Sequence, residues 1–311
     1  MTNKITVGII QASPVFSNLE ASLTRAVMLV EEAAKKGAQL AAFGETWLPG
    51  YPAYFDYCPE ASLWNNEKTK EVYARLRHNS VVVPSRATEI LAEAARDNRV
   101  SVVIGINERV DAGAGNGTLY NSLLIFDETG KLVGHHRKLV PTYTERLVWG
   151  QGDGNGLQSV KTEVGRIGAL VCWEHWMPLA RQAMHVAGED IHVAVFPTVH
   201  EMHQITVRQY AFEGRCFVLA VGLIMKAEDF PAEFEMPQSF KDKPDAMVLR
   251  GGSCIVAPDG GFIVEPVFDC EKIIMSELDL TIIDKEKLTL DVSGHYHRHD
   301  VFDFKVRHLK R

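Results

Sequence analysis

Ile5-Thr-Val-Gly-Ile-Ile-Gln-Ala12, then Ser17-Asn-Leu-Glu-Ala-Ser-Leu-Thr-Arg-Ala-Val-Met-Leu-Val-Glu-Glu-Ala-Ala-Lys-Lys-Gly37, then Ala38-Gln-Leu-Ala-Ala-Phe43 reads as strand, helix, strand. The outer pieces are short apolar runs of buried-strand length. In the middle piece Leu19, Leu23, Val27, Val30 and Ala34 fall on one helical face. Ser17 with Glu20 three residues on predicts a capping box. Gly37 stands where a helix closes on a left-handed residue.

Working outward, residues 45–84 are aromatic and Pro-rich, and read as loops with a short helix. Ser85 can cap a helix to about Asn98 with Ile90, Leu91, Ala94 and Ala95 inward. Val100–Ile106 is a strand. Leu119–Phe126 and Lys131–Arg137 flank the hairpin turn Asp127-Glu-Thr-Gly130. The second half follows the same plan. Arg166–Val171, Ile191–Pro197 and Cys216–Val221 read as strands. Helices fall between them, one with Pro178 in its first turn and one over about 203–215. Ser253–Ala257 and Phe262–Glu265 flank the turn Pro258-Asp-Gly-Gly261. The order recurs without any residue-level repeat. Two sheets with helices outside each would bury such elements as an α/β four-layer α-β-β-α sandwich of two pseudo-symmetric halves. No Ser/Pro/Gly linker divides them, so one domain over 1–311 is expected, with a core at about 4–280 and a tail at about 281–311. Residues 226–250, with three Pro and three Phe, read as an excursion over the surface or at an interface.

Composition narrows the function. The chain has 311 residues and a formal net charge of −7. That balance disfavours nucleic-acid binding, which needs a basic patch. No apolar run is long enough for a membrane span. The start, Met1-Thr-Asn-Lys-Ile-Thr-Val-Gly-Ile-Ile10, enters a strand pattern at once. Its apolar run is too short for a signal peptide, and no cleavage site follows. Five cysteines, at 58, 172, 216, 254 and 270, are odd in number and irregular in spacing. They suit neither a disulfide framework nor a zinc cluster. A cytoplasmic protein is expected.

Reactive residues close three of these strands: Glu45, Lys138 and Cys172. Ligands of open α/β sheets bind beyond the carboxyl ends of strands. A carboxylate, an ammonium and a thiol gathered there can perform covalent hydrolysis. The carboxylate takes the thiol proton, and the ammonium stabilises the anion. Singly, each residue has a plainer reading: a small core hydrophobe, a helix cap, a surface charge. Spacing alone does not bring the three together.

The segments around them carry more. Phe43-Gly-Glu45-Thr-Trp-Leu-Pro-Gly-Tyr-Pro52, His136-Arg-Lys138-Leu-Val-Pro-Thr142 and Val171-Cys172-Trp-Glu-His-Trp-Met-Pro178 resemble, in order and separation, the three catalytic segments of the nitrilase superfamily. Thr144-Glu145-Arg-Leu-Val-Trp-Gly-Gln-Gly-Asp153 resembles the segment with that family's second glutamate. The resemblance runs from about residue 4 to about 303. It implies a Glu45, Lys138, Cys172 triad assisted by Glu145, and a pocket lined by Tyr51, Thr142, Trp173 and Pro197. Tyr54, Trp149, Trp176 and His200 are weaker candidates. The aromatic run Trp47, Tyr51, Tyr54, Phe55, Tyr57, Trp64 suggests an apolar pocket suited to an aryl or arylalkyl group. Cys172-Trp-Glu-His and Gly50-Tyr-Pro52 are similar to the nitrilase branch. The resemblance therefore implies hydrolysis of a small organic nitrile to a carboxylic acid and ammonia, through a thioimidate and a thioester. It implies no metal and no organic cofactor, and homodimers extending to larger oligomers or spirals, although many members carry a longer C-terminal tail. The alternatives are an amidase or carbamoylase using the same residues, and a catalytically silent scaffold that acts by assembly.

Other signals carry less. His200-Glu-Met-His203 is one residue short of the H-E-x-x-H zinc spacing. His295, His297 and His299 would share a face on a strand, where a metal site is conceivable but a solvated tail or an interface is the simpler reading. Gly150-Gln-Gly-Asp-Gly-Asn-Gly156 is followed by no helix and reads as a turn-rich loop. Asn116-Gly-Thr118 reads as a turn. Cys58, Cys216, Cys254 and Cys270 read as structural, with Cys58, in the aromatic loop, the one to check for reactivity.

Overall fold

The computed structural model describes residues 4–308; positions 1–3 and 309–311, the two ends of the expected 1–311 domain, lie outside it. In chain order the elements are β1 (Lys4–Gln11), α1 (Leu19–Lys35), β2 (Leu40–Phe43), α2 (Tyr54–Tyr57), α3 (Glu67–His78), α4 (Arg86–Asn98), β3 (Ser101–Arg109), β4 (Leu119–Phe126), β5 (Leu132–Arg137), β6 (Val160–Thr162) and β7 (Gly165–Val171). Then follow α5 (Pro178–Ala187), β8 (Ile191–Phe196), α6 (Glu201–Gly214), β9 (Phe217–Gly222), β10 (Ile224–Lys226), β11 (Met247–Val256), β12 (Phe262–Phe268), β13 (Lys272–Asp279) and α7 (Thr281–Glu286).

One sheet has the order β13-β1-β2-β3-β4-β5, and the other β10-β11-β9-β8-β7-β6 with β12 also on β11. In each sheet three consecutive strands run parallel, β1-β2-β3 and β7-β8-β9, with antiparallel strands on both sides. The two halves are therefore built alike, as their patterns predict.

Strand alternation assigns the layers. Val7, Ile9, Leu40, Ala42 and Val103 pack against Ile167, Ala169, Val193 and Leu219 of the other sheet. Ile10, Ala41, Phe43, Val102 and Ile104 point the other way, onto Leu23, Ala26 and Val30 of α1 and Leu91 and Ala95 of α4. Both faces are covered, so these strands read as continuous apolar runs. Each fully buried Val, Leu or Ile contributes about 1.5–3 kcal/mol. On the far side Ala180 and Met184 of α5 and Val207, Tyr210 and Ala211 of α6 close the fourth layer.

Several expectations change. The cap of α1 is Asn18, whose side chain accepts from Ala21 N at 3.0 Å. Ser17 lies one residue too early, with φ +54° and its own N–H on Pro49 O. Residues 45–84 hold a twelve-residue helix, α3, capped by Asn66. It buries only Val72 and Leu76, too few positions for a clear period. β13 was not anticipated, and it joins the first sheet, with Lys4 opposite Asp279 and Gln11 opposite Lys272. The 226–250 excursion is tied into its own chain. Phe230 and Phe234 are buried, Phe234 stacks on Tyr54 at 5.2 Å, and Tyr57 meets Phe230 and Phe240 edge-on. Residues 295–299 form no strand, so the three histidines share no strand face.

Candidate active site

Glu45 follows β2, Lys138 follows β5, and Cys172 follows β7. The first two strands belong to one sheet and the third to the other, so both sheets deliver their carboxyl ends to one place. Gly105 of β3 makes room for the first turn. A Cβ there would stand 2.3 Å from Gly44 O and 2.4 Å from Thr46 N, so only glycine lets the Glu45 turn settle on the sheet. Cys172 opens a single 3-10 turn, Cys172–Trp176, at φ +53°. That left-handed conformation is costly for a residue with a Cβ, and it persists only where the surroundings impose it.

The side chains converge. Lys138 Nζ lies 3.1 Å from Glu45 Oε1 and 2.6 Å from Glu145 Oε2. Ligand atoms of Glu45, Glu145 and Cys172 all fall within 4.8 Å of one another. Such a group can hold a cation, and the Lys138 ammonium, bonded to both carboxylates, already supplies that charge. Glu145 is fixed by the Tyr51 hydroxyl, which donates to Oε1 at 3.0 Å, and by Thr142 N, which donates to Oε2 at 2.7 Å. Asn121 Nδ2 donates to Glu45 Oε1 at 2.7 Å. Oε1 therefore receives both Asn121 and Lys138, while Glu45 Oε2 is buried without a partner.

Electrostatics follows from burial. Burial raises the Glu45 carboxyl to about 7, against the lowering pull of Lys138. Burial also pushes the Cys172 thiol well above its usual range, assisted by the Glu45 charge. Lys138 and the backbone N–H of Trp173 pull it the other way. Burial alone would lower Lys138, but Glu45, Cys172 and Glu145 outweigh it and keep the ammonium charged. A neutral thiol, a carboxylate with one free oxygen and a fixed cation form a nucleophile-and-base arrangement.

Residues 6–285 match the carbon-nitrogen hydrolase family. An aliphatic nitrilase of Sinorhizobium fredii is 38% identical over 303 residues, covering 97% of this chain and 96% of its own. Nitrilase 2 of Arabidopsis thaliana is 36% identical, covering 96% and 87%. A bifunctional nitrilase/nitrile hydratase of Nicotiana tabacum is 36% identical, covering 98% and 87%. The chain belongs to the carbon-nitrogen hydrolase family. Solved structures share its fold. A carbon-nitrogen hydrolase from Helicobacter pylori G27 matches at a TM-score of 0.67 and 20% identity, over 96% of both chains. An amidase of the nitrilase superfamily from Nesterenkonia matches at 0.66 and 15%, over 96% and 95%.

In this carbon-nitrogen hydrolase a cleft of about 360 Å³ opens over Cys172. Tyr51, Thr142, Trp173, Pro197 and His200 line it. Three weaker candidates lie elsewhere. Tyr54 stacks on Phe234, Trp149 Nε1 donates to Asn107, and Trp176 packs on Trp173 and His203. Of the other loop aromatics only Tyr57 reaches the wall. Trp47 is buried core, and Trp64 is 97% exposed. Val248 and Leu249 from the start of β11, with Asp56, Tyr143, Thr144, Thr198 and His203, also line the wall. The aromatic run contributes only Tyr51 and Tyr57 to the pocket, because Trp47, Tyr54 and Phe55 are buried in packing and Trp64 is exposed.

Glu174 was missed. Its carboxylate accepts from Leu139 N at 2.8 Å, from Val171 N at 2.7 Å, and contacts His136 Nε2 at 2.9 Å. It ties the segment around Lys138 to the strand that delivers Cys172. Asn121, on Glu45, was missed as well. Asn121 on Glu45, and Glu174 on Leu139 and His136, act through space on residues far away in sequence, and no local pattern marks those bonds. The glycine-rich loop also has a use, since Gly152 N donates to Lys138 O at 2.8 Å. Cys58 and Cys254 are poor thiolates, pushed by burial to about 11 and about 12.

Proposed function

We propose that this chain hydrolyses an organic nitrile to the carboxylic acid and ammonia, with Cys172 as nucleophile. Glu45 takes the thiol proton, and the sulfur adds to the nitrile carbon to give a thioimidate. Lys138 and the Trp173 N–H stabilise the charge that develops; losing one such donor typically costs about 10²–10³ in rate. Protonated Glu45 returns its proton to the nitrogen. Water adds, ammonia leaves, and a thioester remains. A second water, activated by Glu45, releases the acid and restores the thiol. Glu145 holds Lys138 in position. The observation that carries this reading is the bare Oε2 of Glu45, the one carboxylate oxygen of the cluster free to accept a proton. Nitrilase-named relatives over nearly the whole chain support the choice of a nitrile. The mixed wall, with Trp173, Tyr57, Val248 and Leu249, supports an aryl, arylalkyl or aliphatic substituent.

The outer faces of α5 and α6 expose Leu179, Val186, Met202, Ile205 and Phe212. This face supports a homodimer formed by a second copy of the chain. The described helices include none long and apolar enough to cross a membrane, and all five cysteines are free, which supports a reduced, cytoplasmic setting.

Ammonia release tests the activity. Phenylacetonitrile, 3-phenylpropionitrile, benzonitrile, an aliphatic dinitrile, cyanide and the matching amides form the panel, with Cys172→Ala as control. Turnover of nitriles, absent in the variant, is expected. Turnover of amides alone would reassign the site to an amidase.

A further inference from the structure

Beneath Cys172 lies a buried polar chain that the chemistry above does not use. His175 Nδ1 is 2.7 Å from Cys172 O, and His175 Nε2 is 2.9 Å from His192 Nε2. His192 Nδ1 is 2.7 Å from Glu189 Oε1, and the Tyr210 hydroxyl donates to Glu189 Oε2 at 2.6 Å. All four side chains are at most 4% exposed. The fold makes room for the carboxylate, since a Cβ at Gly168 of β7 would stand 1.6 Å from Glu189 Oε1. The Tyr210 ring stacks on His192 at 3.9 Å, and Arg181 Nη1 donates to the carbonyl of His175.

The donors can be counted. A carbonyl oxygen only accepts, so His175 must carry its proton on Nδ1. The link between the two imidazoles needs one proton, and the link from His192 to Glu189 needs another. Three protons are required from two rings and a carboxyl group. Two neutral rings and an ionised carboxylate supply only two. We propose that His175, His192 and Glu189 hold this third proton and form a unit without net charge, which positions the nucleophile by gripping the Cys172 carbonyl. Lacking net charge, the unit avoids the penalty of an isolated buried ion. Its grip accounts for the left-handed backbone of Cys172, which offers its carbonyl to His175 on one side and its sulfur to the cleft on the other.

The inference rests on Cys172 as the nucleophile, not on which substrate it attacks. The test therefore uses alkylation of Cys172 by iodoacetamide, followed by mass spectrometry, beside nitrile turnover. Failure of the nitrile reading would leave the alkylation result standing. Glutamine at 189 can donate to His192 Nδ1 and accept from Tyr210, so Glu189→Gln fills every link without the shared proton. It is expected to fold and to keep at least half the alkylation and turnover rates. Glu189→Ala and His175→Ala are expected to lose about 10–100-fold in both rates with KM nearly unchanged, the usual scale for a misplaced reacting atom. ¹⁵N-histidine spectra of the unaltered protein should show His175 Nδ1 as an N–H between pH 6 and 8. A Glu189→Gln variant that is unfolded or as slow as Glu189→Ala would overturn the neutral unit. A bare His175 Nδ1, or a folded His175→Ala with unaltered alkylation, would overturn the positioning role.

Discussion

Glu45 is the residue on which the pH behaviour turns. In the proposed reaction only its ionised form accepts the thiol proton, and burial sets its carboxyl at about 7. The value of kcat/KM is therefore expected to fall about tenfold per unit below pH 7. The same shift has a stability consequence of fixed sign. A carboxyl raised from 4.5 to about 7 makes folding costlier in the ionised form. That cost is absent below pH 4.5 and grows until about pH 7. Glu45→Gln should abolish turnover, and its melting temperature relative to the unaltered protein should be more favourable at pH 8 than at pH 5. An equal offset at both values would contradict the raised carboxyl. At this scale the sequence singled out Glu45, Lys138, Glu145 and Cys172, whose side chains converge, because each sits in a segment of distinctive neighbours. It was silent on Asn121, Glu174 and Glu189, whose partners lie 76, 38 and 21 residues away for the longest bond each makes in or behind the site.

Among elements, the ends of β5 and β7 must be held together, since they come from different sheets. Glu174 does this with two backbone N–H groups and His136. Burial alone would raise its carboxyl, but His136 and the backbone donors prevail and hold it below 4.5. Glu174→Ala is expected to cost about 3–5 kcal/mol, the usual scale for breaking a buried pair, and to slow turnover at least tenfold with the Cys172 thiol still present. For a carboxyl lowered on folding, the contribution is full above the unfolded value and is lost as pH falls below it. The urea-midpoint difference between the two proteins should thus shrink below pH 4.5; a constant gap would leave Glu174 a merely steric filler. The parallel strands and both hairpins were legible because they are uninterrupted apolar runs bounded by turn residues. β13 was not. Its segment Lys-Ile-Ile-Met-Ser-Glu-Leu-Asp buries little beyond Ile274 and Leu278, so its alternation is weak, and nothing local says it pairs with β1.

For the whole molecule, two facts oppose each other. Every copy carries a net charge of −7, and every copy exposes Ile205, Phe212, Met202, Leu179 and Val186 on one outer layer. Repulsion between like-charged copies acts over about 10 Å at 0.1 M salt and is screened beyond that. Burial of apolar area is not weakened by such screening. If this face joins two copies, association should tighten as salt rises from 20 to 200 mM. An interface held mainly by ion pairs would loosen instead. Two-fold symmetry places each residue of the face twice in one interface, so a single substitution is felt twice. Light scattering of Ile205→Glu with Phe212→Asp should therefore give one chain mass where the unaltered protein gives two. The exposed pair also lies on the helix that carries Tyr210, so the same variant should be assayed for Cys172 alkylation. A monomer that keeps its alkylation rate would separate assembly from the buried chain beneath the nucleophile, whereas an unchanged mass would move the contact to another surface, such as the exposed Leu63 and Trp64 beside Leu147.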